Sequence, residues 1–402
     1  MTSRSILYIS YDGMLEPLGQ SQVLAYIAKL AVGRRIHLIS FEKNYDSSNL
    51  VEREQLAKNI AAAGIQWHPL RYHKWPSALA TAWDIACGSI VGLWLVLRYR
   101  LSIIHARSYV ASVMALMIKR LTGAKYVFDM RGFWADERVD GGLWRSGGCL
   151  YRVAKVFERH FLLEADQVVS LTQAAVREMT LFPYLQGRSL PITVIPTCAD
   201  LARFMPLSNS RLGEGFVLGY VGSVGTWYLF DQVIACFGKL LQMQPDARFL
   251  IVNRGEHAYI NERLAAMCVP YTAVELTSAN HDAVPHLMAR MDAGIFFIKP
   301  VFSKQASAPT KLAEFLGCGL PCLGNAGVGD MAEVLEVEQV GVTLKAFDDI
   351  SIAEGLYRLL DLVADPTTCG RCVSAAQRHF SLEEGVAKYR NIYEQLDRLP
   401  ND

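Results

Sequence analysis

Short apolar runs of strand length alternate with helical stretches along almost the whole chain, in two successive series. In the first series, strands are predicted over residues 5–10, 36–41, 102–106, 125–130, 167–171 and 193–195, with helices over 20–31 and 111–121. In the second series, strands over 216–221, 248–252, 274–276 and 295–298 alternate with helices over 230–243 and 257–267. This order predicts mostly parallel sheets with right-handed crossovers. At 402 residues, the chain is also long enough for two cores.

The two series are separated by a polar, glycine-containing stretch at residues 206–215. We therefore expect an N-terminal Rossmann-like domain over residues 1–205 and a C-terminal one over 206–381, both α/β and doubly wound. Residues 382–402 begin with an amphipathic helix that carries Val386, Tyr389 and Tyr393 on one stripe, and we expect it to pack back on the first domain. The predicted architecture is two domains that face each other across a cleft.

Charge is unevenly distributed along the chain. There are 40 Lys and Arg residues against 39 Asp and Glu, yet residues 1–205 hold 24 basic and 16 acidic side chains, which leaves 16 and 23 for the rest. Either the first half faces an anionic membrane surface or substrate, or the asymmetry reflects surface composition alone. No nucleic-acid partner is expected.

Nine cysteines are scattered along the sequence, and the first strand begins close to Met1 without a signal-peptide pattern. A reducing cytoplasm is therefore the expected compartment. Cys369 and Cys372 form the only Cys-x-x-Cys spacing in the sequence. Because no second pair accompanies them, they predict buried helix cysteines rather than a zinc site or a redox pair.

Residues 77–97 are apolar over nearly the length that a membrane span requires. Asp84 interrupts the run, so we expect a core-packed helix or a membrane-surface helix rather than a span. An apolar face with Trp83, Trp94 and Leu97 would suit contact with lipid and packing on a sheet equally well. Peripheral attachment to the inner face of the cytoplasmic membrane is therefore one expectation.

The stretch most informative about function runs from residue 302 to 321 and reads FSKQASAPTKLAEFLGCGLP. Pro309 suits the first turn of a helix, and Gly317 or Gly319 suits its end. Lys311 in that first turn lies against the positive end of the helix dipole, which is unfavourable unless an anion is bound there. Because an apolar run at 293–298 precedes it, the helix starts where open α/β sheets bind ligands. A phosphate site is predicted; the alternative is an ordinary strand-loop-helix unit with a solvated lysine.

Seven motifs follow one another along nearly the whole chain. They are EPLGQS at 16–21, HARS at 105–108, DMRGFWADER at 129–138, EADQVVSLT at 164–172, VIPTCADLARF at 194–204, GYVGSVGTWY at 219–228 and SAPTKLAEFLGCGLP at 307–321. In this order they resemble the retaining GT-B nucleotide-sugar glycosyltransferases of family 4, and within them a branch that builds bacterial surface polysaccharides. The resemblance implies hexosyl transfer from a nucleoside diphosphate sugar, with no further cofactor.

The resemblance also implies roles for single residues. Those assigned to donor binding are Gly19, Gln20, Gly222, Ser223, Ser307, Thr310, Lys311 and Glu314. Thr310 and Lys311 would bind the leaving diphosphate, and Glu314 would take the ribose hydroxyls. Gly19 would let the backbone approach the donor, and Gly222 opens the corresponding loop of the second domain.

Three positions depart from the family pattern. The family often has a Glu-x7-Glu pair, in which Glu314 is the second member and Ala306 occupies the first position. Arg131 stands where a histidine usually follows the strand at 125–130, and the basic residues that often follow the second glycine loop are absent from SVGTWYLFD. The sequence therefore defines the donor site better than it defines the catalytic groups.

Transfer from a nucleoside diphosphate sugar develops negative charge on the departing β-phosphate. No cluster with metal-ligand spacing stands out, so Lys311, Arg131 and the helix N-terminus are expected to offset that charge without a metal. The resemblance implies a front-face displacement in which the leaving phosphate helps to deprotonate the acceptor.

Three further side chains of the first domain are candidate catalytic groups. Asp136 and Glu137 either orient acceptor hydroxyls or form a salt bridge with Arg138. His105 ends a predicted strand and would point toward the cleft, where it either contacts sugar or acceptor or serves as a hydrogen-bonded structural residue.

The leading hypothesis is a transferase that moves a sugar from a nucleotide donor to a growing, lipid-linked glycan. The alternatives are a GT-B-like epimerase or phosphorylase, and a binding subunit whose site has decayed. Ala306 and Arg131 would allow the decayed site, whereas Lys311 and Glu314 argue against it.

Overall fold

The computed structural model describes residues 5–43, 50–207 and 215–399. The chain forms two compact units, the first comprising Met1–Ile195 with Glu383–Asp402 and the second comprising Pro196–Leu382. Each unit is built around a parallel β-sheet covered by helices, so the predicted α/β class with two Rossmann-like units is confirmed.

The sheet of the first unit has the strand order β3-β2-β1-β4-β5-β6-β7. The strands are β1 (Ser5–Ser10), β2 (Arg35–Glu42), β3 (Ile65–Arg71), β4 (Ile103–Arg107), β5 (Lys125–Asp129), β6 (Gln167–Ser170) and β7 (Ile192–Val194). Every residue of β1 and β4 is buried, as expected for central strands of a parallel sheet. The sequence patterns missed β3, which lies at the edge of the sheet and mixes polar residues with Pro69.

The helices of the first unit pack on this sheet. They are α1 (Pro17–Gly19), which continues through a π-helical turn at Gln20–Leu24 into α2 (Ala25–Leu30), and then α3 (Leu50–Ala62), α4 (Ser77–Tyr99), α5 (Ser108–Thr122), α6 (Trp134–Asp140), α7 (Cys149–Glu164) and α8 (Gln173–Thr180). Helix α4 meets α5 at two glycines. A Cβ atom at Gly88 would lie 2.5 Å from Met114 Sδ, and one at Gly92 would lie 2.7 Å from Ile118 Cδ1. These glycines therefore allow the two helices to pack closely.

The sheet of the second unit has the strand order β10-β9-β8-β11-β12-β13. The strands are β8 (Val217–Val221), β9 (Arg248–Val252), β10 (Val274–Thr277), β11 (Ala293–Ile295), β12 (Cys322–Asn325) and β13 (Gly341–Leu344). The helices are α9 (Phe230–Met243), α10 (His257–Ala266), α11 (Val284–Met288), α12 (Thr310–Gly317), α13 (Met331–Val337), α14 (Asp349–Ala364) and α15 (Thr368–Phe380). The four-residue strands β12 and β13 were also missed, because runs this short carry little periodicity.

The chain passes between the units earlier than the composition suggested. The division falls after Ile195 rather than at residue 205. Ala199 forms a bridge with Ser381 and donates its N–H to Phe380 O at 2.9 Å, and Phe204 is buried in the core of the second unit. These contacts hold residues 196–205 in the second unit.

The last helix, α16 (Leu382–Leu396), packs on the first unit from Glu383 onward. Tyr389 Oη donates a hydrogen bond to Asp129 Oδ2 at 3.0 Å, and Tyr393 Oη lies 2.6 Å from His105 Nδ1. Both tyrosines are buried. The helix is therefore part of the core of the first unit.

Candidate active site

Helix α12 begins at the edge of the second sheet where the parallel strands end. Pro309 is its N-cap residue, Thr310 its first residue and Lys311 its second. Ser307 precedes them in extended conformation and donates its N–H to Lys304 O at 3.2 Å. The predicted start of this helix is therefore close to the observed one, and its free N–H groups lie at the ligand-binding edge of the sheet.

Lys311 is buried among aromatic rings. Its Nζ lies 3.6 Å from the ring centre of Tyr228 and 4.3 Å from that of Tyr220. It also lies 3.2 Å from Tyr220 Oη and 3.4 Å from Ser223 O. Burial lowers the pKa of Lys311 from its ordinary 10.5 to about 7, although Glu314 and Glu256 oppose the shift. The structure thus brings three predicted donor residues together, since Ser223 follows Gly222 directly.

The backbone conformation and the close approach of Lys311 require glycine at position 222. Its φ is +102°, and a Cβ atom there would lie 2.8 Å from Lys311 Cε. A side chain at this position would therefore strain the backbone and displace the lysine.

Glu314 lies one turn along α12 from Lys311. Burial raises the pKa of Glu314 from its ordinary 4.5 to about 7, against the opposing charge of Lys311. Lys311 and Glu314 thus both have pKa values near neutrality, so a bound ligand can change the protonation state of either group. Such perturbed pKa values are typical of functional sites.

Two residues that the sequence did not single out hold the loop after β8. Glu256 Oε2 accepts hydrogen bonds from Val224 N at 3.1 Å and from Asn253 Nδ2 at 2.8 Å. Asn253 Nδ2 also donates to Gly222 O at 3.0 Å. The sequence indicates a role only for Asn253, because it directly follows β9. Polar residues at the carboxyl ends of parallel strands lie at the edge of the sheet where ligands bind.

A second buried lysine lies close to the same loop. Lys304 Nζ is 3.7 Å from the ring centre of Trp227, and the side chain is buried. The loop at 222–231 has no Lys or Arg of its own. Lys304 thus brings a cation to this loop from the segment before α12, in which Ala306 is also buried.

In the first unit, Gly19 packs closely on the loop after β1, and its assignment to donor binding stays a prediction. It is buried in α1, where a Cβ atom would lie 2.0 Å from Gly13 O. Packing on the loop after β1 therefore requires glycine at this position. That loop is held by Glu42, whose carboxylate accepts from Met14 N at 2.9 Å and Leu15 N at 3.3 Å.

Gln20, the next residue, is exposed. It lines a cavity of about 480 Å³ between the π-helical turn and α3, whose other polar lining residues are Glu52, Gln55 and Asn59. Gln20 thus faces a space within the first unit.

His105 does not end its strand, because β4 continues to Arg107. It is buried against α16, with Nε2 3.5 Å from Asp129 Oδ2, and burial lowers its pKa although Asp129 opposes the shift. Arg131 Nη1 lies 4.0 Å from Asp129 Oδ1, and Arg131 adopts a left-handed φ of +58°. His105 and Arg131 therefore meet at a buried carboxylate, and the prediction that His105 lies at the strand end is wrong.

Asp136 and Glu137 both lie on α6. Asp136 accepts from Tyr151 Oη at 2.9 Å and from Lys155 Nζ at 3.0 Å. Arg138, the expected partner, lies over the ring of Trp134 at 5.2 Å instead. The salt bridge of Asp136 is thus formed with α7.

Within residues 5–43, 50–207 and 215–399, no group of three or more His, Cys, Asp or Glu side chains is placed to hold a metal ion.

Comparison with known families agrees with this geometry. Residues 32–198 match the family described as "Glycosyl transferase 4-like domain", and residues 215–362 match "Glycosyl transferases group 1". The chain is a GT-B glycosyltransferase. The second match includes β8, the loop at Gly222 and the whole of α12, so the region around Lys311 belongs to a glycosyltransferase domain.

Three solved structures are similar to this chain over nearly its full length. Sucrose-phosphate synthase from Thermosynechococcus elongatus is 14% identical, with a TM-score of 0.75 over 98% of this chain and 99% of that one. Anabaena HepE in complex with UDP and glucose is 17% identical, with a TM-score of 0.64 over 98% and 99%. The lipopolysaccharide outer core galactosyltransferase WaaB is 11% identical, with a TM-score of 0.64 over 97% and 99%. At these identities the likeness shows the fold. A search of curated proteins finds no match to the sequence.

Proposed function

We propose that this glycosyltransferase moves a hexosyl group from a nucleoside diphosphate sugar to a lipid-linked glycan, with retention of the anomeric configuration. The observation that carries the proposal is the buried Lys311 in the first turn of α12. Its pKa of about 7 means that burial disfavours the ammonium, whereas a diphosphate would stabilise it. The lysine and the helix N–H groups together suit the charge that develops on a leaving β-phosphate.

Glu314 would accept hydrogen bonds from the ribose hydroxyls of the nucleotide. Its raised pKa of about 7 reflects a buried carboxyl group that a pair of hydroxyl donors would stabilise as the anion. UDP is the first nucleotide to test, because HepE binds UDP and UDP-glucose in its solved complexes. The glycan acceptor is favoured by the likeness to a lipopolysaccharide galactosyltransferase.

The reaction that we propose needs no bound metal. The bond between the anomeric carbon and the β-phosphate oxygen breaks while the acceptor oxygen attacks the same face of the sugar. The acceptor proton passes to the leaving phosphate, so the products are the glycoside and the nucleoside diphosphate. Lys311 and the start of α12 would stabilise the negative charge at that phosphate. We place this reaction in the cytoplasm, in keeping with nine free cysteines.

A two-part experiment tests the proposal. A thermal-shift panel of UDP, GDP and their sugars measures whether the second unit binds nucleotide, and stabilisation by one base is expected. An assay with lipid-linked acceptor in the presence of EDTA then measures transfer, and proton NMR of the product gives its anomeric configuration. An inverted product contradicts retention, and loss of activity in EDTA contradicts metal independence. Conversion of the nucleotide sugar without acceptor would instead favour the epimerase.

A further inference from the structure

Helix α4 is apolar on two faces, although it lies at the surface of the first unit. Its inner face is formed by the buried residues Ala80, Asp84, Gly88, Ser89, Gly92, Leu95 and Val96. Its outer face carries Leu79, Trp83, Ile90, Trp94 and Leu97, and between 55% and 72% of each of these residues is exposed. A surface helix of a soluble protein normally has a polar outer face. This outer face therefore needs a partner.

The inner face is already fully used by the first unit. Gly92 faces Ile118, Leu7 and Ile39, all within 3.6 Å of where its Cβ atom would lie. Asp84 accepts from Tyr11 Oη at 2.8 Å and lies 2.6 Å from His73 Nδ1. The carboxylate that interrupts this apolar segment thus points into the domain and leaves the outer face uncharged.

These contacts also decide how the helix meets a membrane. By length and composition alone, α4 could cross a membrane, but 39% of its most apolar 18 residues are buried in the protein. A span would expose Asp84 to lipid and break its bonds to Tyr11 after β1 and to His73 after β3. A helix that stays packed on the sheet can instead meet a bilayer only with its outer face, parallel to the surface.

The neighbouring residues extend the same surface. Met117 and Leu121 of α5 are 47% and 69% exposed, and Met117 Sδ lies 3.8 Å from Ser89 Oγ of α4. We call the set Leu79, Trp83, Ile90, Trp94, Leu97, Met117 and Leu121 the α4 stripe. Its seven side chains are exposed and apolar and lie on two helices that pack against each other.

The charges and aromatic residues at its margins indicate the partner. Lys74, Arg98 and Arg100 are exposed at the two ends of α4, and Asp84 is the only acidic residue between residues 74 and 100. Of the seven tryptophans, the three that are mainly exposed are Trp75, Trp83 and Trp94. Cations beside an apolar helix attract anionic headgroups, and tryptophan favours the boundary between headgroups and acyl chains.

We propose that the α4 stripe docks the protein on a bilayer that contains anionic lipid, with α4 lying in the plane of the interface. The apolar side chains enter the boundary of the acyl chains, and the three cations meet the headgroups. This extends the proposed function, since a lipid-linked acceptor lies in such a membrane. Docking is measured without sugar transfer, so either proposal can fail alone.

The primary experiment is co-sedimentation with vesicles of phosphatidylcholine, with and without phosphatidylglycerol. The double variant Trp83→Gln/Trp94→Gln is expected to lower the affinity for anionic vesicles on the order of tenfold or more. The reason is that the variant has no indole rings at these two positions to transfer from water into the bilayer. The matched control is Ile350→Gln/Tyr357→Gln on α14, two residues that are 71% and 60% exposed. The control should bind like the wild type, and equal thermal unfolding of all three proteins excludes misfolding.

Two further experiments test the contribution of the cations at the ends of α4 and the depth at which the tryptophans lie in the bilayer. Lys74→Gln/Arg98→Gln should weaken binding to phosphatidylglycerol vesicles several-fold and reduce its salt dependence. Lipids brominated near the headgroup should quench the tryptophan fluorescence of the wild type more than lipids brominated at the chain end, as interfacial docking requires.

Absence of vesicle binding by the wild type, or wild-type affinity of the tryptophan variant, overturns the proposal. A dimer in solution that the tryptophan variant converts to a monomer, without vesicle binding, assigns the stripe to a second copy of the chain.

Discussion

At the scale of single residues, Lys311 and Glu314 have opposite charges and nearly equal pKa values, both about 7. Burial penalises the charged form of each, so neither is strongly stabilised as an ion by its surroundings. The partners of Lys311 are uncharged: it has cation–π contact with the rings of Tyr220 and Tyr228 and donates hydrogen bonds to Tyr220 Oη and Ser223 O. An arriving diphosphate would therefore supply the stronger partner that this lysine lacks.

Replacement of this lysine should impair turnover much more than folding. Lys311→Ala is expected to lower kcat on the order of 10²-fold, the usual loss for one group that stabilises developing charge. Its melting temperature should stay equal or rise, because burial already disfavours the ammonium. Lys345→Ala, at an exposed lysine after β13, is the control. A folded Lys311→Ala enzyme with wild-type kcat would exclude the lysine from the mechanism.

Binding of UDP should be coupled to proton uptake. At about pH 8, one unit above the pKa of about 7, Lys311 is mostly neutral before UDP is added. A bound diphosphate raises this pKa, so the complex takes up close to one proton, and the uptake should diminish below pH 7, where the lysine is already charged. Calorimetry in two buffers of different ionisation enthalpy measures the uptake. Lys311→Met should abolish it and Lys345→Met should not; equal uptake in both variants would assign the proton elsewhere.

The adjacent carboxylate should act mainly in binding. Glu314→Ala is expected to raise the donor KM about tenfold with a smaller change in kcat, because a hydrogen bond to a charged group contributes roughly 1.5–3 kcal/mol and is made before and during the reaction. Glu333→Ala on α13 is the control, at an exposed glutamate. Unchanged UDP affinity by calorimetry would show that Glu314 does not contact the nucleotide.

At the scale of elements, the approach of α1 to the loop after β1 should be sensitive to a single methyl group. Gly19→Ala places a Cβ atom 2.0 Å from Gly13 O and should cost about 1–3 kcal/mol of unfolding free energy. Gly238→Ala in α9, where a Cβ atom meets nothing within 4 Å, should instead be neutral or stabilising. Urea unfolding measures both. A wild-type midpoint for Gly19→Ala would mean that α1 can move without cost.

Sequence patterns located elements whose signal is local. The start of α12 was predictable because a proline, a first-turn lysine and a preceding apolar run identify it. The contact of His105 with α16 was not, because its partner Tyr393 lies 288 residues further along the chain. The roles of Gly19 and Lys304 likewise depend on distant backbone and ring positions that no periodicity reveals. Long-range contacts thus account for most of what the sequence could not predict.

At the scale of the whole molecule, one unit is formed by a single continuous segment of the chain and the other by two separate segments. The second unit is one continuous segment, Pro196–Leu382, and holds Gly222, Ser223, Lys311 and Glu314. The first unit needs Glu383–Asp402 as well as Met1–Ile195. Without α16, the carboxylate of Asp129 would lose the hydrogen bond from Tyr389, and His105 would lose the contact with Tyr393. Such buried polar groups are costly to leave without partners.

Expression of fragments should therefore give an asymmetric result. Residues 196–382 are expected to unfold cooperatively and to bind UDP, because the residues proposed for the diphosphate and ribose are all present. Residues 1–195 alone should lack a cooperative transition, and fusion of 383–402 through a flexible linker should restore it. Thermal unfolding followed by circular dichroism and UDP calorimetry measure these outcomes. Cooperative unfolding of 1–195 at the temperature of the linked form would show that α16 contributes little, since its two buried tyrosines would then be dispensable.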